Sequence, residues 1–142
     1  MILLDVNVLL YAYDLNSPEN KSVAAWLEKA LSGTDTIGIP LVTIWGFLRI
    51  GTNSRILANP LPPVQAFKIV RELLEAPGVM LLQAGPRHLE ILQDLVQRYK
   101  VTGPLISDGV IAALAIEHGA TVASTDRDFS RFDTLKWINP AG

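Results

Sequence analysis

The chain has no cysteine. That excludes disulfides, thiolate nucleophiles and cysteine-based zinc sites, and it fits a reducing cytoplasm. Two histidines leave little for a histidine-built metal site. No run of 18 apolar residues exists, and the apolar start Met1-Ile2-Leu3-Leu4 has no basic flank and breaks at Asp5. It is read neither as a membrane span nor as a signal peptide. Positive charge is also scarce: 12 Lys and Arg stand against 14 Asp and Glu, a net charge of −2. This is not the footprint of a protein that holds nucleic acid by bulk charge, so any such substrate needs cations or a local basic groove.

What is present is apolar. Counted with glycine and without tyrosine, about 54% of the 142 residues are apolar, against a typical 45–50%. The length suits one domain over 1–142 with a sizeable core. The apolar surplus suggests surface kept for another chain, a second copy or a dedicated partner.

Short apolar runs alternate with helical periodicities. Ile2–Leu4 reads as a strand, Val6–Tyr13 as a helical turn or two. Ser17-Pro18-Glu19 reads as a helix start, with Val23, Trp26, Leu27, Ala30 and Leu31 on one face and Gly33 as its end. The pattern predicts a strand over Thr36–Ile39 and a helix from Pro40 to about Thr52. A further helix carries Val64, Phe67, Val70, Leu73 and Leu74, and Val79–Leu82 is a third strand. Pro86 opens a helix whose face is Leu89, Leu92, Leu95, Val96 and Tyr99. Thr102-Gly103-Pro104 is a loop. Ser107 is placed as the cap of an apolar helix from Asp108 to His118, closed by Gly119. Ala120–Ser124 and Leu135–Trp137 are the last strands. Strands alternating with helices indicate an α/β fold with a parallel sheet covered on both faces.

Asp5 ends strand one, Asp108 lies in the first turn of an apolar helix, and Asp126 and Asp128 follow strand four. In a parallel sheet, strand ends and helix starts share one edge, so these acids converge there. Two unit charges about 4 Å apart repel by roughly 4 kcal/mol at an effective dielectric of 20, so a cation or a proton must hold them together. An all-oxygen donor set favours Mg²⁺ or Mn²⁺ over zinc. Asn7 is placed to orient a ligand or a water beside the ion. Taken singly, each acid also suits a plain structural role as helix cap, dipole partner or turn former.

With Leu4-Asp5-Val6-Asn7-Val8-Leu9, Ser107-Asp108, Ala115-Ile116-Glu117-His118-Gly119-Ala120 and Ser124-Thr125-Asp126-Arg127-Asp128-Phe129 in this order, the chain resembles the PIN-domain family. Within it the likeness is to the VapC-type toxins, one subgroup of which is matched by Phe47-Leu48-Arg49-Ile50 and Trp137-Ile138-Asn139-Pro140. The resemblance implies a three-layer α/β/α sandwich with a short parallel sheet. It implies a Mg²⁺-dependent endoribonuclease (Mn²⁺ as the other ion), an antitoxin whose tail covers the acidic crevice, and a homodimer. The metal aspartates carry over to Asp5, Asp108 and Asp126, with Asn7, Ser124 and Asp128 in support. Many PIN domains place a glutamate three residues before the arginine that is here Arg49. This chain has Gly46 there, which supplies no ligand.

Arg49 is a candidate phosphate contact or a structural ion-pair partner, and Arg127 a local partner for the flanking aspartates. Arg87, His88, Arg98 and Lys100 read as a solvated face, His118 as a dipole partner at a helix end. Trp26, Trp45 and Trp137 read as core or interface residues. Two other functions compete with the nuclease. A PIN scaffold that binds RNA or protein with little catalysis is motivated by Gly46. A phosphoryl-accepting aspartate at Asp5 would need an adjacent acid and a strand-end lysine, and only Lys136, on the edge strand, comes near that position.

Overall fold

The computed structural model describes residues 1–142. The strands are β1 (Ile2–Leu4), β2 (Ile37–Pro40), β3 (Val79–Leu82), β4 (Thr121–Ala123) and β5 (Trp137–Ile138). The helices are α1 (Val6–Tyr13), α2 (Asn20–Leu31), α3 (Leu41–Gly51), α4 (Pro63–Glu75), α5 (His88–Tyr99) and α6 (Ile106–His118). Gly103–Leu105 and Arg127–Arg131 form 3₁₀ turns. The five strands lie in the order β3-β2-β1-β4-β5, every pair parallel.

The pleat sorts the core into two halves. Leu3 and Val122 point to one face, where Ile91 and Leu95 of α5 and Ile111, Ala112 and Ala115 of α6 pack over them with Phe129 and Phe132. Leu4, Ile37, Ile39 and Ala123 point to the other, beneath Val8, Leu27, Phe47 and Val70 of α1 to α4. Successive strand residues face opposite sides, so three-residue strands suffice to feed both cores. The result is the three-layer sandwich. No helix is long and apolar enough to cross a membrane.

Several boundaries differ from the sequence pattern, each for a local reason. Helix α2 starts at Asn20, not at Pro18. Ser17 Oγ instead accepts from the Glu19 N–H at 3.2 Å and closes a turn. Asn20 then spends its side-chain amide on the end of α1, donating to the carbonyls of Tyr11 (2.8 Å) and Ala12 (3.1 Å). Carbonyls in the last turn of a helix are short of intrahelical donors, and at Tyr11 the amide adds to a long 3.4 Å bond from the Asp14 N–H, so it both caps α1 and fixes the α1–α2 corner. Helix α5 starts at His88, two residues after Pro86. Helix α6 starts at Ile106, because the turn at Gly103–Leu105 leads straight into it, and Ser107 lies inside its first turn without capping it. Gly119 does end α6, with φ of +66° in the left-handed region where glycine is at ease.

One surface reading also changes. His88 is buried, not solvated, and its Nδ1 has no partner. Arg87, just before α5, and Arg98, within it, are solvated as expected and pair with Glu90 and Asp94. Trp45 is 61% exposed and takes no part in the core, whereas Trp26 and Trp137 are half-buried.

Candidate active site

The chain runs β1, β2, β3 outward on one side of β1, then returns to place β4 and β5 on the other. Connections therefore leave β1 and β4 in opposite directions and open a crevice at their carboxyl ends, the usual ligand position in such sheets. A cleft of about 210 Å³ lies there, lined by Asp5, Asn7, Thr43, Gly46, Arg49, Ser107, Asp108 and Asp126 among others.

Register builds its floor. β1 and β4 pair Leu3 with Val122 and Leu4 with Ala123, so the next residues, Asp5 and Ser124, come side by side. Asp5 N–H donates to the Ala123 carbonyl at 3.0 Å. The side chains then bond directly: Ser124 Oγ donates to Asp5 Oδ2 at 2.7 Å. Ser124 Oγ also accepts from the Asn7 side-chain amide (3.0 Å) and from the Asp126 N–H (3.0 Å). Asn7 donates to Asp5 Oδ2 at 3.2 Å and accepts from the Thr125 N–H at 3.1 Å. Asp5 Oδ1 accepts the Val6 N–H at 2.8 Å, capping α1. Asn7 thus joins the two loops, its amide committed to protein groups. Trp137 holds the same loop from β5, its indole N–H donating to the Ser124 carbonyl at 2.9 Å.

Asp5 is 9% exposed and accepts three hydrogen bonds. A carboxylate has about four lone-pair sites, so roughly one remains open toward the cleft. Burial raises its pKa, the Ser124 and Val6 hydrogen bonds oppose that, and the Asp126 charge adds to the rise.

Above this floor stand the other acids. Asp108, in the first turn of α6, has its pKa pushed up to about 6, by burial first and then by the charges of Asp126, Asp5 and Asp128, with Arg131 opposing. Asp126 caps the Arg127–Arg131 turn, its Oδ1 accepting from the Asp128 N–H at 2.8 Å. One carboxylate oxygen from each of Asp108, Asp126 and Asp128 lies within 4.8 Å of the others. The structure therefore brings Asp128 into the cluster as closely as Asp108 and Asp126, with Asp5 below. Donors of this type, all oxygen and anionic, fit a hard divalent cation.

Arg49 lies exposed on the α3 wall and forms no ion pair within 4.0 Å. Arg127 is likewise unpaired. The arginine that meets Asp128 is Arg131, four residues further on, at 3.5 Å. Thr43 is a second residue that the sequence pattern did not single out. Fully buried in the α3 start, its Oγ1 donates to the Leu4 carbonyl at 2.8 Å, tying α3 to the end of β1. The sequence carries no local signal for it, because its burial follows from the packing of α3 on β1.

Gly46 has a packing reason. A Cβ there would lie 2.9 Å from Val6 Cγ2. Any side chain at this position pushes on the side chain of the residue whose N–H holds Asp5, so an acid here would require Val6 to shift.

Ser124→Ala removes a fully buried hydroxyl that serves Asp5, Asn7 and Asp126 together. Leaving buried donors and a carboxylate short of partners costs about 1–3 kcal/mol each way it is measured. We expect a stability loss in that range by urea unfolding at pH 7.5. A loss below about 0.5 kcal/mol, the usual size of an inert surface change, refutes the hub assignment.

The PIN domain family model matches residues 2–135. Ribonuclease VapC33 of Mycobacterium tuberculosis is 43% identical over 140 residues, which is 99% of this chain and 98% of the relative. The fold is shared with VapBC-1 from nontypeable Haemophilus influenzae, with a TM-score of 0.72 and 16% identity over 100% of both chains. It is shared too with a toxin–antitoxin complex from Klebsiella pneumoniae, with a TM-score of 0.63 and 18% identity over 99% of this chain and 98% of that one. With the acids at the β1–β4 crevice and a match along nearly its whole length, the chain belongs to the PIN-domain family, in its VapC branch.

Proposed function

We propose that this protein is a divalent-metal-dependent endoribonuclease and the toxin of a toxin–antitoxin pair. The carrying observation is the cluster of Asp108, Asp126 and Asp128 oxygens within 4.8 Å, set above the buried Asp5. Its relatives include proteins named as ribonucleases. Mg²⁺ is the ion proposed, with Mn²⁺ as an alternative of the same coordination chemistry. Asp5, Asp108 and Asp126 would hold it, directly or through water, and Asp128 stands close enough to share. When bound, such an ion polarises a phosphoryl oxygen and makes water a stronger nucleophile near neutral pH. Ser124 and Asn7 keep the Asp5 carboxylate oriented, and Thr43 ties the α3 wall to the end of β1 beside it.

RNA is the proposed substrate and a small antitoxin the proposed partner, with the cytoplasm as the site of action. A homodimer is proposed as well. Val42 and Trp45 on α3 and Val64 and Phe67 on α4 are exposed apolar side chains without a partner in the single chain.

The test is cleavage of RNA by highly purified protein in Mg²⁺, in Mn²⁺ and in chelator. Product is expected with either ion and none in chelator. Asp5→Asn should lower the rate by at least about 10-fold, the lower end for disturbing a group around a metal. Activity in chelator, or full activity in Asp5→Asn, ends this reading. RNA retained without product under every ion would favour the binding module that Gly46 motivates.

A further inference from the structure

The cleft presents a difficulty for the substrate just proposed. Asp5, Asp108 and Asp126 line it with Asp128 beside them, the chain as a whole is negative, and a divalent ion neutralises only part of that charge. A phosphodiester backbone entering this cleft needs cations on the protein itself. Two arginines stand near it: Arg49 lines the cleft itself, and Arg131 stands outside that lining, against Asp128. Arg49 lies on α3, which follows β2, to one side of β1. Arg131 ends the turn that follows β4, to the other side.

Arg131 is held but not used up. Its Nε–H donates to the Asp128 carbonyl at 3.1 Å, which fixes the plane of the guanidinium. Its Nη2 lies 3.5 Å from Asp128 Oδ1, well beyond the roughly 2.7–2.9 Å of a charge-assisted hydrogen bond. Of five guanidinium N–H groups, one makes a hydrogen bond to protein and the terminal four do not. The side chain is 30% exposed, so it is positioned against the turn rather than trailing in solvent. Its charge also reaches Asp108, whose pKa it lowers. Arg127, on the same turn, is exposed and has no such tether.

We propose that Arg131 is a substrate-binding residue: with Arg49 on the opposite wall it clamps the phosphates of single-stranded RNA across the acidic cleft. The proposal rests on the ribonuclease reading and adds to it a residue and a geometry. The backbone would cross from the α3 wall to the β4 turn, over Asp5. Contacts of this kind are to phosphate, so they carry affinity and not sequence preference.

The experiment uses the full chain with Asp108→Asn, so that RNA survives, and a labelled single-stranded oligoribonucleotide titrated between about 50 and 200 mM salt. Each phosphate contact to a single strand contributes about 0.7 to the slope of log affinity against log salt. Arg131→Ala is expected to lower the slope by about that amount and to weaken binding several-fold on oligonucleotides of unrelated sequence. Arg131→Lys should keep the slope. Should Arg131→Ala lose thermal stability, Arg131→Gln keeps a donor for the Asp128 carbonyl and carries the same slope test. An unchanged slope and affinity in Arg131→Ala overturns the clamp. In parallel, unsubstituted protein is assayed for cleavage: cleavage with an unchanged Arg131→Ala slope removes the clamp alone, and no cleavage removes the ribonuclease reading first.

Discussion

Asp108→Asn is expected to abolish RNA cleavage while making the ion-free protein more stable. The two effects have one cause. Asp108 shares a few ångströms with Asp126 and Asp128, and burial first, then the charges of Asp126, Asp5 and Asp128, pushes its pKa up from 3.8 to about 6. A full shift of that size corresponds to about 3 kcal/mol. Asp108 is only half-buried, and solvent screening reduces this to about 1 kcal/mol. The sign follows from proton linkage. A carboxyl whose folded pKa lies above its unfolded value stabilises the fold below pH about 4, and that contribution is lost as pH rises through about 6. In chelator, this group alone makes the protein more stable at pH 5 than at pH 7.5, and Asp5, also raised, has the same sign. Asn has no proton to lose, so the variant should show a flatter dependence and a higher Tm at pH 7.5. Cleavage, by contrast, needs the charge. Disturbing a group around a metal typically costs 10–100-fold, and removal of a direct carboxylate should exceed that range. Thermal scans at the two pH values with and without Mg²⁺, set beside a cleavage assay, measure both. A variant less stable than the parent in chelator at pH 7.5 refutes the crowding of charge. Retained cleavage refutes the role.

Phe129→Ala carries the largest expected loss of stability. The ring is 1% exposed, tilted against Phe132 at 6.4 Å between centroids, and Phe132 in turn meets the Tyr99 edge at 5.4 Å. Emptying such a site costs about 3–5 kcal/mol, the range for Phe truncated in a core. For a chain of this length that is a fall in Tm of roughly 10–15 °C. The position also bears on the acids, since Phe129 follows Asp128 and its N–H donates to the Asp126 carbonyl at 3.4 Å. The ring is the anchor by which the turn carrying two carboxylates is fastened to α5 and α6. Ion affinity in Phe129→Ala, measured by titration well below its Tm, should fall with the stability. A Tm within about 3 °C of the parent would show that the surroundings close over the gap and that the anchor is elsewhere.

Much of this architecture is legible in the sequence because its signals are local. The apolar run before Asp5, the periodic face of α2 and the glycine after His118 each mark an element without reference to the rest. Strand–helix alternation then indicates a parallel sheet and the edge where the acids gather. What the pattern could not deliver depends on pairs distant in sequence. The register that sets Asp5 against Ser124 is decided by strands of three residues, too short to show alternation. Ser17 and Ser107 look like caps, but Asn20 and the Gly103–Leu105 turn supply what the helix starts need. Arg131 was invisible because the Asp128 it meets has Arg127 as its neighbour in sequence. The fully buried Thr43 and the Cβ-less approach of Gly46 to Val6 exist only once α3 has packed on β1 and α1.

The Ser124–Asp5 bond joins residues 119 apart in sequence. During synthesis Asp5 and Asn7 leave the ribosome with β1, but neither can find Ser124, Asp126 or Asp128 until nearly the whole chain has followed. At about 5–20 residues per second that interval is on the order of 10 seconds. Through it β1 can pair with β2 and β3 on one side, while the side that completes the acidic crevice stays open. The acidic crevice is therefore assembled only once β4 and the turn behind it can dock beside β1, so it exists in the folded chain and not in its first half.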